Sequence, residues 1–121
     1  MLDRPVIRFD GAGAGDGLKG EIMHCLTVTY PAPKDASQFR SYYESTHVPL
    51  AKQLPGLKSC SFAYPAPLGA GATPFCIFQA YFADEATMMA ALQSAIGQKV
   101  AADVPNYSPD GVTLFHFAVR E

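Results

Sequence analysis

His47 is the residue whose type and neighbours best suit proton transfer. The pKa of a histidine side chain lies near neutrality, so the imidazole can take up or release a proton at physiological pH. Tyr43 and Glu44 precede His47 by four and three residues, and Pro49 follows it closely. On a helix the first two side chains would share a face with the imidazole and could orient it or tune its pKa. The alternative is that His47 hydrogen-bonds the local backbone and fixes a kink at Pro49.

A second group of polar side chains is predicted on one face of a sheet. His116 stands between Phe115 and Phe117, and successive side chains of a strand point to opposite faces. If the two phenylalanines pack under helices, His116 faces a cavity on the other side. The reverse register would place it under a helix. The candidate ligand-binding residues are Tyr30, Tyr43, Gln79, Tyr81, Asn106 and His116. Aromatic surface with a few polar groups suits a small aromatic or alicyclic ligand, and equally a plain subunit interface.

Neither a metal site nor a bound cofactor is predicted. Glu44 and His47 are spaced as two ligands on one helical face, but the sequence indicates no third ligand. His24, His47 or His116 could ligate a haem iron, yet no feature of the sequence selects that role. The sequence contains no phosphate loop, dinucleotide fingerprint or Ser-His-Asp pattern.

The elements that position these residues follow from the spacing of apolar side chains. Alternation predicts strands at 22–30, 57–64, 75–83 and 112–119. Helical spacing predicts a first helix from a cap at Asp35 or Ser37 to about Leu54, kinked or broken at Pro49. A second helix is expected from Glu85 towards Ile96 after a cap at Asp84, with a short helical turn at 99–104.

This order of elements is that of the ferredoxin-like βαββαβ fold, an α+β architecture with both helices on one face of a four-stranded antiparallel sheet. The residues predicted on the helix side are Leu26, Val28, Phe78, Phe82, Phe115 and Phe117. The residues that leave the other face apolar are Cys25, Ile77, Tyr81, Val112 and Leu114. Because such a face is unfavourable in water, we expect two copies to pack sheet to sheet as a homodimer, with a cavity between them.

Composition excludes several classes of partner. The chain has 121 residues and a net charge of −2, and no block of like charge suits nucleic acid or an anionic membrane. No apolar run is long enough to span a bilayer, so the cytoplasm is the expected location. Three widely spaced cysteines in apolar runs predict buried, reduced thiols; they are Cys25, Cys60 and Cys76.

The chain divides into a Gly-rich extension, residues 1–21, and one domain, residues 22–121. Glycines recur through the segment from Gly11 to Gly20, which predicts a loop-like arm that is dispensable for folding. The alternative is that Val6, Ile7 and Phe9 add an edge strand or reach the partner subunit.

Two stretches carry a family resemblance. The first contains Phe39-Arg40-Ser41-Tyr42-Tyr43, His47-Val48-Pro49-Leu50 and Pro55-Gly56-Leu57, and the second is Asp103-Val104-Pro105-Asn106. Together they resemble the EthD family, over roughly Met23 to Arg120. The resemblance implies a dimeric α/β barrel. It also implies a link to oxidoreductase systems, because the family is named after a protein encoded beside an ether-degrading monooxygenase system. A related isomerase type has a histidine on the equivalent helix, which implies proton transfer in a lactone or dienone.

Two functions follow from these features. The first is a cofactor-independent protein that binds a small hydrophobic or aromatic catabolite and uses His47 for proton transfer, as an isomerase, a lyase or an accessory to an oxygenase. The alternative is a non-enzymatic carrier or accessory protein of a catabolic oxidoreductase system, in which His47 is structural. The sequence leaves open whether the protein is an enzyme.

Overall fold

The computed structural model of the chain describes residues 21–121. The predicted extension, and the expectation that it is dispensable for folding, lie outside the described residues except for Glu21, which begins the first strand. The strands in the described range are β1 (Glu21–Tyr30), β2 (Ser59–Ala63), β3 (Cys76–Phe82) and β4 (Thr113–Arg120). The helical elements are α1 (Ala36–Tyr42), a π-helical turn (Tyr43–His47), α2 (Val48–Ala51), α3 (Glu85–Gln93), α4 (Ala95–Asp103) and a 3₁₀ turn (Val104–Asn106).

The four strands form one sheet in the order β2-β3-β1-β4, and every neighbouring pair is antiparallel. This arrangement confirms the predicted α+β ferredoxin-like class. None of the helices in the described range is long and apolar enough to cross a bilayer.

The core lies between the sheet and the helices. Leu26 pairs with Ala80 and Val28 with Phe78 across β1 and β3, so these side chains share one face. They are buried in one cluster with residues of the helical elements and of the loop before β4, which include Phe39, Tyr43, Met88 and Tyr107. The prediction that Leu26, Val28, Phe78 and Phe82 lie on the helix side is therefore confirmed.

The predicted orientation of β4 is wrong. Phe115 lies opposite Thr27 and Phe117 opposite Cys25, so both phenylalanines point to the helix-free face, whereas His116 lies opposite Leu26 on the helix side. Leu114, expected on the helix-free face, also lies on the helix side, and Val112 packs against the core. The reason is that β4 is an edge strand with no buried residue, so its phenylalanines are not needed to fill the core.

The predicted kink at Pro49 is replaced by a π-helical turn. Val48 keeps helical angles (φ −60°, ψ −45°), and its N–H donates to the carbonyl of Tyr43, five residues earlier. Pro49 therefore falls in the first turn of α2, where a missing N–H costs little. The helical run continues, and the wider π turn takes up the irregularity.

The second predicted helix is divided at Ser94. α3 ends at Gln93, and Ser94 caps α4, because its side chain accepts a 3.0 Å hydrogen bond from the N–H of Gly97 in the first turn of that helix. Asp35 and Asp84 cap α1 and α3 as predicted. α4 covers Ala95–Asp103 and is longer than the short turn expected at 99–104, because it begins four residues earlier.

The cysteines fit their prediction in part. All three are free thiols; Cys25 and Cys76 are buried, but Cys60 is only half-buried. Burial raises the pKa of Cys76 to about 12. The expectation of full burial is wrong for Cys60, because it lies on β2, the edge strand opposite β4.

Candidate functional site around His47

The centre of the candidate site is a hydrogen bond between His47 and Asp103. Nδ1 of His47 lies 2.9 Å from Oδ2 of Asp103, and the side chains are only 4% and 11% exposed. His47 closes the π-helical turn and Asp103 ends α4, so two helical elements that are distant in sequence meet here. π-helical turns occur often at functional sites, where they redirect side chains.

The Asp103 carboxylate is held by two further donors. The Tyr42 hydroxyl donates to Oδ1 at 2.6 Å, and the side-chain amide of Asn106 donates to the same oxygen at 2.9 Å. Asn106 also reaches the Tyr42 hydroxyl at 3.4 Å. Both carboxylate oxygens are therefore engaged, which fixes the position of the acceptor that faces His47.

Electrostatics make Asp103 the charged partner and His47 the neutral one. Burial opposes ionisation of Asp103, but hydrogen bonds from Tyr42, Asn106 and His47 prevail and lower the pKa of its carboxyl. Burial lowers the pKa of His47, although Asp103 works in the opposite direction. An ionised carboxylate accepts a proton donor at Nδ1, so the proton of the neutral imidazole lies there. Nε2 then carries the lone pair of a base.

Nε2 of His47 makes no hydrogen bond to any described residue. The imidazole stacks on the Tyr43 ring, with centroids 5.6 Å apart and planes at 16°, and lies 4.6 Å from the Tyr107 ring centroid. The ring is thus fixed by packing on two sides and by Asp103 at one nitrogen. The arrangement is suited to taking a proton from a molecule that reaches Nε2.

Buried tyrosine side chains pack beside the His47–Asp103 pair. The Tyr107 hydroxyl donates to the Tyr30 hydroxyl at 3.0 Å. Tyr43 is fully buried, its hydroxyl has no hydrogen-bond partner among the described residues, and burial raises its pKa well above the usual range. These rings give the neighbourhood of His47 an aromatic character.

The structure brings together only part of the predicted site. His47, Tyr43 and Asn106 belong to one assembly, and Tyr30 joins it through Tyr107. The other three predicted ligand-binding residues are Gln79, Tyr81 and His116. Gln79 and Tyr81 pair with Thr27 and Cys25 and therefore lie on the helix-free face.

His116 is the clear correction. It was expected on the cavity face with Gln79 and Tyr81, but it lies on the helix side, where its Nδ1 is 2.8 Å from Nε2 of His24. The alternation along β4 was right and the choice of face was wrong.

Glu44 does not tune His47. Its carboxylate accepts a 2.7 Å hydrogen bond from the Tyr64 hydroxyl instead, and Tyr43 is the neighbour that contacts the imidazole. No group of three or more metal-ligating side chains is assembled among residues 21–121.

Sequence reasoning missed Asp103 and Tyr42. The sequence feature that could have identified them is their place in the two stretches that carry the family resemblance. Tyr42 belongs to the aromatic-rich stretch, and Asp103 is the first residue of Asp103-Val104-Pro105-Asn106. An acidic residue three positions before an asparagine at a helix end can equally well stabilise a turn or face solvent. The packing of α4 near the π turn is what assigns Asp103 to His47.

An open groove of about 630 Å³ lies at the end of β1. Its lining comes from the end of β1 and the segments before β3 and β4, and consists of Thr29–Ala32, Ala72–Pro74 and Asp110–Thr113. Tyr30 lines this groove and also meets Tyr107, which contacts His47. Tyr30 and Tyr107 therefore connect the groove to the His47 ring through side-chain contacts.

Comparison with known proteins gives a consistent result. A family model described as EthD domain matches residues 32–110. An uncharacterised 11.0 kDa protein from the thcB-thcC intergenic region of Rhodococcus erythropolis is 36% identical over 93 residues, which cover 76% of this chain and 90% of that protein.

Solved structures agree on the fold. An EthD family protein from Bacillus halodurans superposes with a TM-score of 0.71 at 23% identity, covering 79% of this chain and 97% of that one. A dimeric ferredoxin-like protein of unknown function from Thermobifida fusca gives a TM-score of 0.60 at 15% identity, with 88% and 100% covered.

Proposed function

The chain belongs to the EthD family, and from that premise we propose that it binds a small hydrophobic or aromatic catabolite and transfers a proton within it, with His47 as the base. The observation that carries the proposal is the His47–Asp103 pair, in which Nδ1 is bound at 2.9 Å and Nε2 is left for a ligand. A small molecule with a C–H bond beside a carbonyl, such as a lactone or an enone, has the acidity that this base requires.

The chemical step needs only residues on the site. Nε2 takes the proton, the C–H bond breaks, and its electron pair moves towards the carbonyl oxygen of the ligand. The Asp103 carboxylate stabilises the imidazolium that forms, since it is already ionised and hydrogen-bonded to Nδ1. Return of the proton to a different carbon completes an isomerisation, and loss of a leaving group completes an elimination by a lyase.

Dimerisation is part of the same proposal. The helix-free face carries Phe115 and Phe117, which are 46% and 40% exposed in the single chain. The Thermobifida fusca relative of this fold is described as dimeric, which supports a homodimer here. Contact between two such faces would bury these rings.

Exchange of ligand C–H for deuterium tests the proposal. 2-Cyclohexenone and a butenolide, incubated with the protein in D₂O and followed by ¹H NMR, should lose their acidic C–H signals faster than in buffer alone. His47→Gln should slow this exchange at least about 100-fold, the usual contribution of a general base. Asp103→Asn should also slow it, because an amide does not hold the imidazole as an anion does.

The matched control is Asp35→Asn, which makes the same carboxylate-to-amide change at an exposed helix cap where asparagine caps equally well. Its exchange rate should equal that of the unsubstituted protein. Exchange that is equally fast in His47→Gln would show that His47 is not the base.

A carrier is the second candidate, and the groove at the end of β1 favours it because His47 is not part of its lining. The discriminating measurement is an NMR titration with an aromatic probe such as 1-naphthol. Shifts confined to Thr29, Thr73 and Thr113, unchanged by His47→Gln and without any exchange activity, would favour carriage over catalysis.

A further inference from the structure

Two histidines that the proposed function does not use lie together on the sheet. His24 of β1 and His116 of β4 are 92 residues apart in sequence, yet Nε2 of the first is 2.8 Å from Nδ1 of the second. The two ring centroids are 5.0 Å apart and the planes cross at 45°. In the strand register His24 faces Ala118 and Leu26 faces His116, so the histidines are diagonal neighbours on the helix side.

The separation of the two nitrogens matches a metal chelate as well as a hydrogen bond. Imidazole nitrogens lie about 2.0 Å from a bound transition metal, so two ligands at right angles are about 2.8 Å apart, against about 3.3 Å for a tetrahedral ion. The observed 2.8 Å therefore fits adjacent positions of a square-planar or octahedral ion. Cu²⁺ and Ni²⁺ adopt these geometries with nitrogen ligands.

The two histidines differ in exposure, so His24 is held in place while His116 can adjust its orientation. His24 is 4% exposed and is held in the sheet, whereas His116 is exposed on an edge strand. Its exposure leaves the His116 ring room to adjust its orientation towards an ion. Its open side leaves the remaining coordination positions to water.

A negative charge lies nearby. Asp84 caps α3, and its backbone and side-chain hydrogen bonds with Thr87, together with the proximity of His24, lower the pKa of its carboxyl against the effect of burial. The carboxylate is therefore ionised near His24 and favours a cation there.

From this geometry we infer that His24 and His116 form a two-imidazole site for a square-planar or octahedral transition-metal ion, Cu²⁺ or Ni²⁺, separate from the His47–Asp103 pair. In the absence of the ion a shared proton joins the two nitrogens. The ion replaces that proton, which moves to the far nitrogen of the same ring or to solvent.

Calorimetric titration of the tag-free protein with NiCl₂ tests the site. The unsubstituted chain should bind one ion per chain, and His116→Gln should weaken binding at least tenfold. Because His116 is exposed, its replacement leaves the core intact, and the circular dichroism melt of the variant should show this. His24→Gln should weaken binding to a similar extent. With Cu²⁺ the electron paramagnetic resonance spectrum should show coupling to two nitrogens, reduced to one in either variant.

His47→Gln is the matched control, since it removes the remaining histidine of the chain, which is committed to Asp103. It should bind Ni²⁺ with unchanged affinity. Equal affinity in His116→Gln and the unsubstituted chain would overturn the inference, as would loss of binding only in His47→Gln or no stoichiometric binding at all.

Discussion

The charge of His47 is set by two opposing influences. Burial disfavours the imidazolium and lowers its pKa, while the hydrogen bond and charge of Asp103 raise it; burial prevails. In the unfolded chain the imidazole regains its ordinary pKa of about 6.5. The unfolded state therefore binds a proton at a pH where the folded state does not, and acid favours unfolding in that range.

The expected result is a loss of stability that belongs to His47. Its contribution is complete above about pH 6.5 and is lost as the pH falls from there towards the lowered pKa of the folded state. One histidine accounts for at most about 1.4 kcal/mol per pH unit. Urea unfolding of the unsubstituted protein and of His47→Gln, compared between pH 7.5 and 5, should show the shallower dependence in the variant.

Other groups do not obscure this comparison. The pKa of Asp103 is lowered below its ordinary acidic value, so its own contribution is lost only at more acidic pH. His24 and His116 are present in both proteins and cancel in the difference. Parallel pH profiles for the two proteins would contradict the assigned cause.

Of the two residues in the His47–Asp103 pair, only His47 could be identified from the sequence. His47 stood out because histidine titrates near neutrality and stood in a helical pattern beside Pro49. Asp103 gave no such signal, since its role depends on a partner 56 residues away. His116 was placed on the wrong face because alternation gives the period of a strand but not which side the helices cover.

α4 positions Asp103 beside His47. Its first turn packs closely against the end of α3, and Gly97 lies at this contact. At Gly97 a Cβ atom would overlap the backbone carbonyls of Ala91 and Leu92 at the end of α3. Backbone atoms cannot move aside as a flexible side chain can. The glycine thus allows α4 to begin directly after Ser94 and to carry Asp103 to the π turn.

Gly97→Ala should destabilise the protein even though alanine is the better helix former. The overlap should lower the free energy of unfolding by about 1–3 kcal/mol, the usual range for overpacking, and should move Asp103. Urea unfolding measures the first effect. The second should appear as a change in the ¹⁵N chemical shifts of the His47 imidazole.

Gly69→Ala supplies the control, because an added Cβ there meets no atom within 4 Å. Its stability and its His47 signals should match those of the unsubstituted protein. An equally stable Gly97→Ala would show that α4 adjusts without cost.

Element order and type were predictable here, but the irregular junctions were not. Alternating apolar residues located all four described strands, and Asp35 and Asp84 located two helix starts. The π turn was not predictable from Pro49, which fits a broken helix equally well. The break at Ser94 depends on tertiary contact of α4 with the end of α3, which no local pattern records.

For the whole molecule, the helix-free face determines the assembly we propose. The rings of Phe115 and Phe117 stack there with centroids 6.3 Å apart and remain partly exposed. The sequence predicted an apolar helix-free face but assigned it Leu114 in place of these phenylalanines. The corrected register makes the face more aromatic than expected and so strengthens the case for a second copy as its cover.

Phe117→Asp should convert the homodimer to a monomer. Two copies of the face would bury both Phe117 side chains, and a carboxylate in such an interface has neither water nor a counter-charge. A loss of about 2.7 kcal/mol in association free energy raises the dissociation constant about a hundredfold. Light scattering at micromolar concentration should give twice the chain mass for the unsubstituted protein and one chain mass for the variant.

Leu68→Asp is the control, since Leu68 is equally apolar and fully exposed, but lies in the loop between β2 and β3. It should remain dimeric. A monomeric unsubstituted protein, or a dimeric Phe117→Asp, would show that this face does not join two copies.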